Sequence, residues 1–294
     1  MIEFIQWHDL SQTQRIFHGR GHAYTGFEHI SVDWFSPVVL ITLYKEVDSQ
    51  WLAELAQWLN ENIDGCQSVQ VQYRCRSMAP QKLLIGEDIQ QTVVEEQGRK
   101  YHIRFGRSQN HGLFLDMLNG RDWLQTNAEN KKVLNLFSYT CAFSVAALAG
   151  GASEVVNVDL SKASLSVGRE NHKLNQQDLS KVKFQGIDIF KSFGRLKKLG
   201  PFDILVCDPP SFQKGSVNIQ RDYGKILRRL PDFMASGSEL LLCLNSPDLD
   251  ENFLKQQVEE YCPRCQFKEQ LSNPEVFKEA HQGKGLKVLR YQFT

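Results

Sequence analysis

The sequence predicts an α/β protein: an open, mainly parallel sheet wound by helices on both faces, closed by a carboxyl-terminal antiparallel hairpin and preceded by a small α+β domain. Three observations carry this. From residue 106 onward strand-like and helix-like segments alternate regularly, which calls for right-handed crossovers and parallel strands. No helical pattern separates the last two strand candidates, so the carboxyl terminus reads as a hairpin that inserts one antiparallel strand. Before residue 106 the signals are mixed, which sets a domain boundary between 1–105 and 106–294.

In the first region the apolar run VVLITLY (38–44) reads as a strand and WLAELAQWLNENI (51–63) as an amphipathic helix. The alternating VQVQYR (69–74) gives a second strand, and VVEEQGRKYHIRF (93–105) a hairpin turning at Gln97-Gly98. In the second region KVLNLF (132–137) precedes helical AFSVAALAG, and EVVNVDLS (154–161) precedes helical SKASLSVGRENHKLN. KVKFQGID (181–188), FDILVCD (202–208) and ELLLCLN (239–245) follow, then QFKEQLS and GLKVLRYQFT at the end.

A chain of 294 residues with 41% hydrophobic content fills an ordinary globular core. It has no apolar run of membrane-spanning length, and MIEFIQWHDL lacks the regions of a signal peptide, so a cytoplasmic location is expected. Seven cysteines scattered among strand-like runs fit reduced thiols better than a disulfide framework. Cys262-Pro-Arg-Cys265 is a lone CxxC without histidines at ligand spacing, so ordinary cysteines are expected there and no metal site. Lys plus Arg equals Asp plus Glu, 34 each, so only local patches can attract a polyanion.

The stretch VCDPPSF (206–212) stops a strand abruptly, because proline lacks a ladder donor and biases the residue before it toward extended geometry. The result is a stiff elbow, Asp208-Pro209-Pro210, holding a carboxylate and the Phe212 ring at a strand's carboxyl end, where open α/β sheets bind ligands. After the first strand of the sheet stands NLFSYTCAF (135–143), where a dinucleotide fold shows glycines. A pyrophosphate needs glycine clearance; a ligand without phosphates tolerates Asn135, Phe137, Ser138, Tyr139 and Thr140, unless the loop merely packs. Asp159 ends the second strand, at the spacing of a ribose-binding acid, with Ser161 as a second contact or a helix cap. Asp188 ends the third, suited to an adenine amino group or to capping. An adenosine without phosphates held by successive strand ends describes S-adenosylmethionine.

From Gly112 to the end the chain resembles the class I S-adenosylmethionine-dependent methyltransferases, in particular the group that modifies bacterial large-subunit ribosomal RNA. Six ordered segments carry the likeness: GLFLD (112–116), VLNLFSYT (133–140), VVNVDLSKASL (155–165), ENHKLN (170–175), DPPSF (208–212) and QRDY (220–223). The resemblance implies the Rossmann-like, seven-stranded class I sheet with the cofactor across the ends of its first strands, and a contact at Asp116. The chain departs from the family where Cys141-Ala142 stands for Gly-Gly, and where Met117-Leu118 replaces the His-Arg that usually follows the acid. The amino-terminal region is similar to the small accessory domain of relatives, a possible RNA contact, with no PUA-type module ahead of it.

Because the cofactor brings its own leaving group, the protein's main task is to align a nucleophile and exclude water. Methylation at a pyrimidine carbon also requires a cysteine thiolate. In relatives that make 5-methylcytosine this cysteine follows the fifth strand, and here Asn245 stands in its place. Cys207 and Cys243 are expected inside the sheet. The expected chemistry is therefore direct, non-covalent transfer to an RNA base, closer to the guanine-N7 branch, with Asp208, Pro209 and Phe212 as catalytic elbow. Arg221 and Asn245 are substrate candidates, and Arg228 and Arg229 either meet phosphates or lie on a solvated face. The alternatives are a methyltransferase for a small molecule or protein, or a non-catalytic protein that binds cofactor or RNA.

Overall fold

The computed structural model describes residues 1–210, 212–213, 217–281 and 283–294, and at 212–213 the backbone alone. The chain forms two compact units, Met1–Leu115 with Pro274–Gln282, and Asp116–Asn273 with Gly283–Thr294. This division differs from the sequence boundary at 105/106. The short return of Pro274–Gln282 to the first unit carries no local signal, since its described residues form no strand or helix.

The first unit is a five-stranded sheet in sequential order, β1 (Gln14–His18), β2 (Ile30–Phe35), β3 (Val38–Leu43), β4 (Ser68–Tyr73) and β5 (Gln81–Gly86). Helix α1 (Ser49–Asn62) connects β3 to β4, which makes that pair parallel and leaves the others antiparallel. Asp48 caps α1 by accepting the Trp51 N–H at 2.9 Å. Leu52, Leu55, Ala56 and Leu59 recur at helical spacing and pack on Val32, Trp34, Ile41, Val69 and Val71. The opposite sheet face is polar yet buried, with Ser31, Asp33, Thr42, Gln70 and Gln72. There Arg15 forks onto Asp33 at 2.7 and 3.0 Å. Strands β6 (Gln91–Glu96) and β7 (Arg99–Arg104) form the hairpin expected from the sequence. Gln97 and Gly98 both have positive φ, 50° and 75°, the twist that a two-residue hairpin loop requires.

The second unit starts with α2 (Leu118–Asn127) and runs β8 (Lys132–Leu136), α3 (Ala142–Ala149), β9 (Glu154–Asp159), α4 (Lys162–Leu174) and β10 (Val182–Gly186). It continues with α5 (Phe193–Leu199), β11 (Phe202–Cys207), the two-residue pair β12 (Phe212–Gln213) and β13 (Val217–Asn218), α6 (Ile219–Leu227) and α7 (Leu230–Phe233). The last elements are β14 (Met234–Leu244), α8 (Glu251–Tyr261), β15 (Cys265–Leu271) and β16 (Lys287–Phe293). The seven-stranded order is β10-β9-β8-β11-β14-β16-β15. The strands from β10 to β14 are parallel, and β16 enters antiparallel between β14 and β15.

Strand alternation divides this sheet into two cores. Val133, Val155, Ile204, Val206 and Leu241 face α2 and α3. Leu134, Leu136, Val156, Leu205, Leu240 and Leu242 face α5 to α8. The order reverses between β8 and β11, so the carboxyl ends of β10, β9, β8, β11 and β14 share one edge with a crevice at the switch point.

Candidate functional site

Among the described residues on that edge, positive φ at non-glycine positions is concentrated in the loop leaving β8. Phe137, Tyr139 and Cys141 have φ of 57°, 47° and 63°, so every second residue lies in the left-handed region. That region disfavours side chains by roughly 1 to 2 kcal/mol per residue, and glycine is its usual occupant. The loop therefore follows a glycine-type course without any glycine. Its anchors are explicit. Ser138 donates its N–H to the Val158 carbonyl at 3.1 Å, and Tyr139 donates its N–H to Asp159 Oδ2 at 2.8 Å. Asn171 Nδ2 donates to the Thr140 carbonyl at 3.0 Å. A Cβ at Gly168 of α4 would stand 2.4 Å from Cys141 Sγ, so that glycine is what lets α4 close on the loop.

Asp159 accepts from Tyr139 N–H through one oxygen and from Ser161 N–H at 2.7 Å through the other. A carboxylate offers about four lone-pair sites, so capacity for a diol remains. Ser138 is buried, and its hydroxyl meets no nitrogen or oxygen partner among the described residues, with only the Cys141 thiol beside it. Leu160, next to Asp159, is 52% exposed, an apolar surface that sequence reasoning missed. An unsatisfied hydroxyl after β8, and a pinned carboxylate and a bare leucine at the end of the adjacent β9, suit a nucleoside without phosphates. This fits S-adenosylmethionine.

Other expected contacts are already engaged. Asn135 is interior: its amide donates to Asn157 Oδ1, Asn157 donates to Ser144 Oγ, and Ser144 meets His172 Nε2, each at 2.9 Å. His172 Nδ1 meets Gln177 Oε1 at 2.6 Å. This buried chain ties β8, β9, α3 and α4 together, so the Asn135 side chain lies away from the edge where the sequence pattern places it. Ser161 caps α4, accepting from Ser164 N–H at 3.1 Å. Asp188 caps the turn after β10 through Phe190 N–H at 2.8 Å, which occupies one of its oxygens. Phe137 is half-buried and packs against Phe190, their centroids 6.4 Å apart.

Asp208 ends the extended course of β11, with Pro209 buried after it and Pro210 half-buried. Its carboxyl makes no hydrogen bond to any described residue. It is pushed up to about 7, first by burial and then by the neighbouring Asp116 carboxylate, with Arg121 pulling the other way. Arg121 is fully buried and was not expected from the sequence. The signal was there: Arg121 falls between Met117 and Leu124 on the apolar stripe of α2. The backbone of Phe212 pairs with Asn218, but its side chain lies outside the described residues.

Behind the elbow, Tyr223 is buried and donates its hydroxyl toward the carbonyls of Cys207 and Cys243, at 3.4 and 3.2 Å. It pins β11 to β14 beneath Asp208. Asp222 is buried and accepts from Asn218 N–H at 2.9 Å, from both the Nε and an Nη of Arg221, and from Lys225. These donors, Arg221 first, hold its carboxyl far below the usual carboxylate range. Arg221 is thus exposed but paired within its own helix, which leaves only part of its fork for a substrate. Asn245 is exposed at the end of β14. Next to it the buried Lys287 donates to the Ser246 carbonyl at 2.5 Å.

Cys207 and Cys243 are fully buried, and burial drives both thiols well above their ordinary range. Neither is poised as a nucleophile. Cys262 and Cys265 place their sulfurs 3.3 Å apart, both buried, at the junction of α8 and β15. Among the described residues no helix is long and apolar enough to cross a membrane.

Residues 14–292 match the profile of the S-adenosylmethionine-dependent methyltransferase family. Over 170 residues the sequence is 36% identical to ribosomal RNA large subunit methyltransferase I of Aeromonas salmonicida, covering 56% of this chain and 43% of that one. Over 120 residues it is 42% identical to the protein of the same name from Escherichia coli O139:H28, covering 40% and 30%. The matched stretches thus span less than half of these curated relatives. The fold is similar to SMU.776, a methyltransferase crystallised with SAH, with a TM-score of 0.87 and 25% identity over 97% of this chain and 76% of that one. It also resembles aTrm5 in complex with tRNALeu, with a TM-score of 0.64 and 17% identity over 90% and 72%, a likeness of fold alone.

Proposed function

Because the chain belongs to the S-adenosylmethionine-dependent methyltransferase family, we propose that it transfers a methyl group to a base of RNA, ribosomal RNA foremost, by direct non-covalent transfer. The observation that carries this is the Asp208 elbow: a carboxyl unpaired among the described residues, held at about 7, at the switch-point edge of the sheet in a chain similar to two large-subunit ribosomal RNA methyltransferases.

When bound, S-adenosylmethionine supplies an electrophilic methyl carbon on a sulfonium leaving group. Asp159, Ser138 and Leu160 hold the nucleoside portion through carboxylate, hydroxyl and apolar contact. Asp188 has one oxygen on Phe190 N–H and the other 3.7 Å from the exposed Lys191 ammonium, and it is this second oxygen that would meet an amino group at the adenine edge. Asp116 belongs to the same edge, near the elbow. Asp208 then orients the acceptor, and a carboxyl near 7 can both accept a hydrogen bond from a base and take a proton as transfer proceeds. Pro209 and Pro210 hold that carboxyl still, and Tyr223 fixes the two strand ends beneath it. Phe212 is assigned to stacking on the base by its place in the sequence motif. Asn245 faces solvent at the neighbouring strand end, available to the substrate.

Carbon methylation of a pyrimidine needs a thiolate, and the two strand cysteines are buried and protonated. A nitrogen that carries its own lone pair suits this edge better. The relatives named above lend no support to a guanine-N7 branch in particular, so the preference for a nitrogen rests on this chain's own residues. The balanced total charge favours a second reading, a small-molecule or protein acceptor. Incubating the protein with labelled S-adenosylmethionine and either naked ribosomal RNA, assembled subunits or an RNA-free extract separates the two. Label in RNA supports the proposal; label confined to the RNA-free fraction refutes it.

A further inference from the structure

The chain is neutral overall, yet residues 188–232 carry nine Lys or Arg against five Asp, a local +4 that the rest of the chain cancels. From these charges we infer that the outer face of α5 and of the turn that follows α6 is a contact surface for the phosphate backbone of RNA. The inference rests on the RNA reading above and adds to it where the polymer lies.

Arg195, Lys197 and Lys198 of α5 and Arg228 and Arg229 after α6 are all exposed. Leu196 between them is fully buried, so the apolar stripe of α5 turns inward and its cations outward. The two groups form one surface. The Arg229 guanidinium lies over the Phe193 ring of α5 at 5.6 Å, and α7, which follows Arg229, packs against α5. Nearer the sheet's carboxyl edge the Lys225 ammonium lies 5.8 Å from the Phe190 centroid, which extends the charge toward the site.

Pairing distinguishes this face from an ordinary solvated one. Arg229 is offset by Asp232 at 2.8 Å, and Lys225 by Asp222. Arg195, Lys197, Lys198 and Arg228 have no acidic partner among the described residues. Lys197 and Lys198 also suit the negative end of the α5 dipole, but that reason does not extend to Arg195. Unpaired cations spread along α5, a helix roughly 10 Å long, and continued by Arg228 match a polymer of phosphates better than a single anion. Arg228 is stacked over the Tyr261 ring of α8 at 4.2 Å, and Tyr261 is preceded in sequence by the exposed acids Glu259 and Glu260.

The test is a salt titration of binding to an in vitro transcript of large-subunit ribosomal RNA, with the native protein and with the triple variant Arg195→Glu, Lys197→Glu, Lys198→Glu. Removing one cation from a phosphate flattens the slope of log K against log salt by about 0.7 to 0.9. The variant is expected to bind at least tenfold more weakly near 0.1 M salt, with a slope flatter by about two and unchanged S-adenosylmethionine affinity. If charge reversal harms folding, the same three changes to Gln, with Arg228→Gln, are read in the same way. Native affinity and slope in a folded variant overturn the assignment of this face and leave the RNA reading intact. No binding of the transcript by the native protein overturns both. Variant binding that is native on naked RNA but absent on assembled subunits assigns the face to a protein and overturns the inference.

Discussion

Replacing Asp208 by Asn removes one ionisable proton from the elbow at almost constant shape, and the consequence for stability has a definite sign. The Asp208 carboxyl is raised from 3.8 to about 7, chiefly by burial. Between those values the folded state holds a proton that the unfolded state releases, so the native protein loses stability as pH rises through this window. About three units at 1.36 kcal/mol each give a ceiling of roughly 4 kcal/mol, and the partial exposure of the residue lowers this to about 2. Urea denaturation of both proteins between pH 4 and 8.5 measures it. The Asp208→Asn variant should match the native protein near pH 4, gain on it as pH rises and hold a constant advantage above 7. Single-turnover methyl transfer should move oppositely: the native rate rises through an apparent pKa near 7, whereas the variant is slow and flat. A stability difference independent of pH would refute the argument that Asp208 is kept protonated by its surroundings.

Asp159→Ala should weaken S-adenosylmethionine at least tenfold and loosen the loop whose Tyr139 N–H it accepts; calorimetry giving native affinity in a folded variant contradicts its assignment. Cys207→Ser and Cys243→Ser should lower the melting temperature while sparing turnover, since both thiols are buried. A covalent complex with RNA containing 5-fluorocytosine, lost in either variant, would contradict that. His172 is lowered from 6.5 to about 4 by burial, so the unfolded state takes up its proton first as pH falls through that window. Acid should therefore remove stability on the order of 3 kcal/mol through this residue, and urea titrations of His172→Gln should show a slope shallower by about one proton between pH 6.5 and 4. His18 and His111, lowered to about 3 and about 4, steepen the same limb in both proteins.

What the sequence makes legible is what depends on neighbours along the chain. The alternation after residue 106 gives the sheet strands, Gln97-Gly98 gives the hairpin, and the antiparallel insertion of β16 follows from the missing helix before it. Strands β1 and β5 are not legible, because their residues do not alternate clearly, and β2, which does alternate, is not set apart by local pattern because its polar face, Ser31 and Asp33, is buried by partners elsewhere. Local pattern also finds the strand-end acids Asp159, Asp188 and Asp208, but not what their oxygens already hold. Capping by Ser161 and Asp188 was open as an alternative and is observed. The retreat of Asn135 into the chain that ends at Gln177 depends on Asn157, Ser144 and His172, separated widely in sequence. The left-handed course of Phe137, Tyr139 and Cys141 is hidden for a related reason: without glycines, nothing in residue type announces it.

Whether this edge methylates a base of RNA is tested most directly by mass-spectrometric mapping of ribosomal RNA from cells with and without the gene. Cells lacking it should show one nucleotide lighter by a single methyl group, restored by the native gene and not by one encoding Asp208→Asn. An identical map in both cells would contradict RNA methylation by this protein.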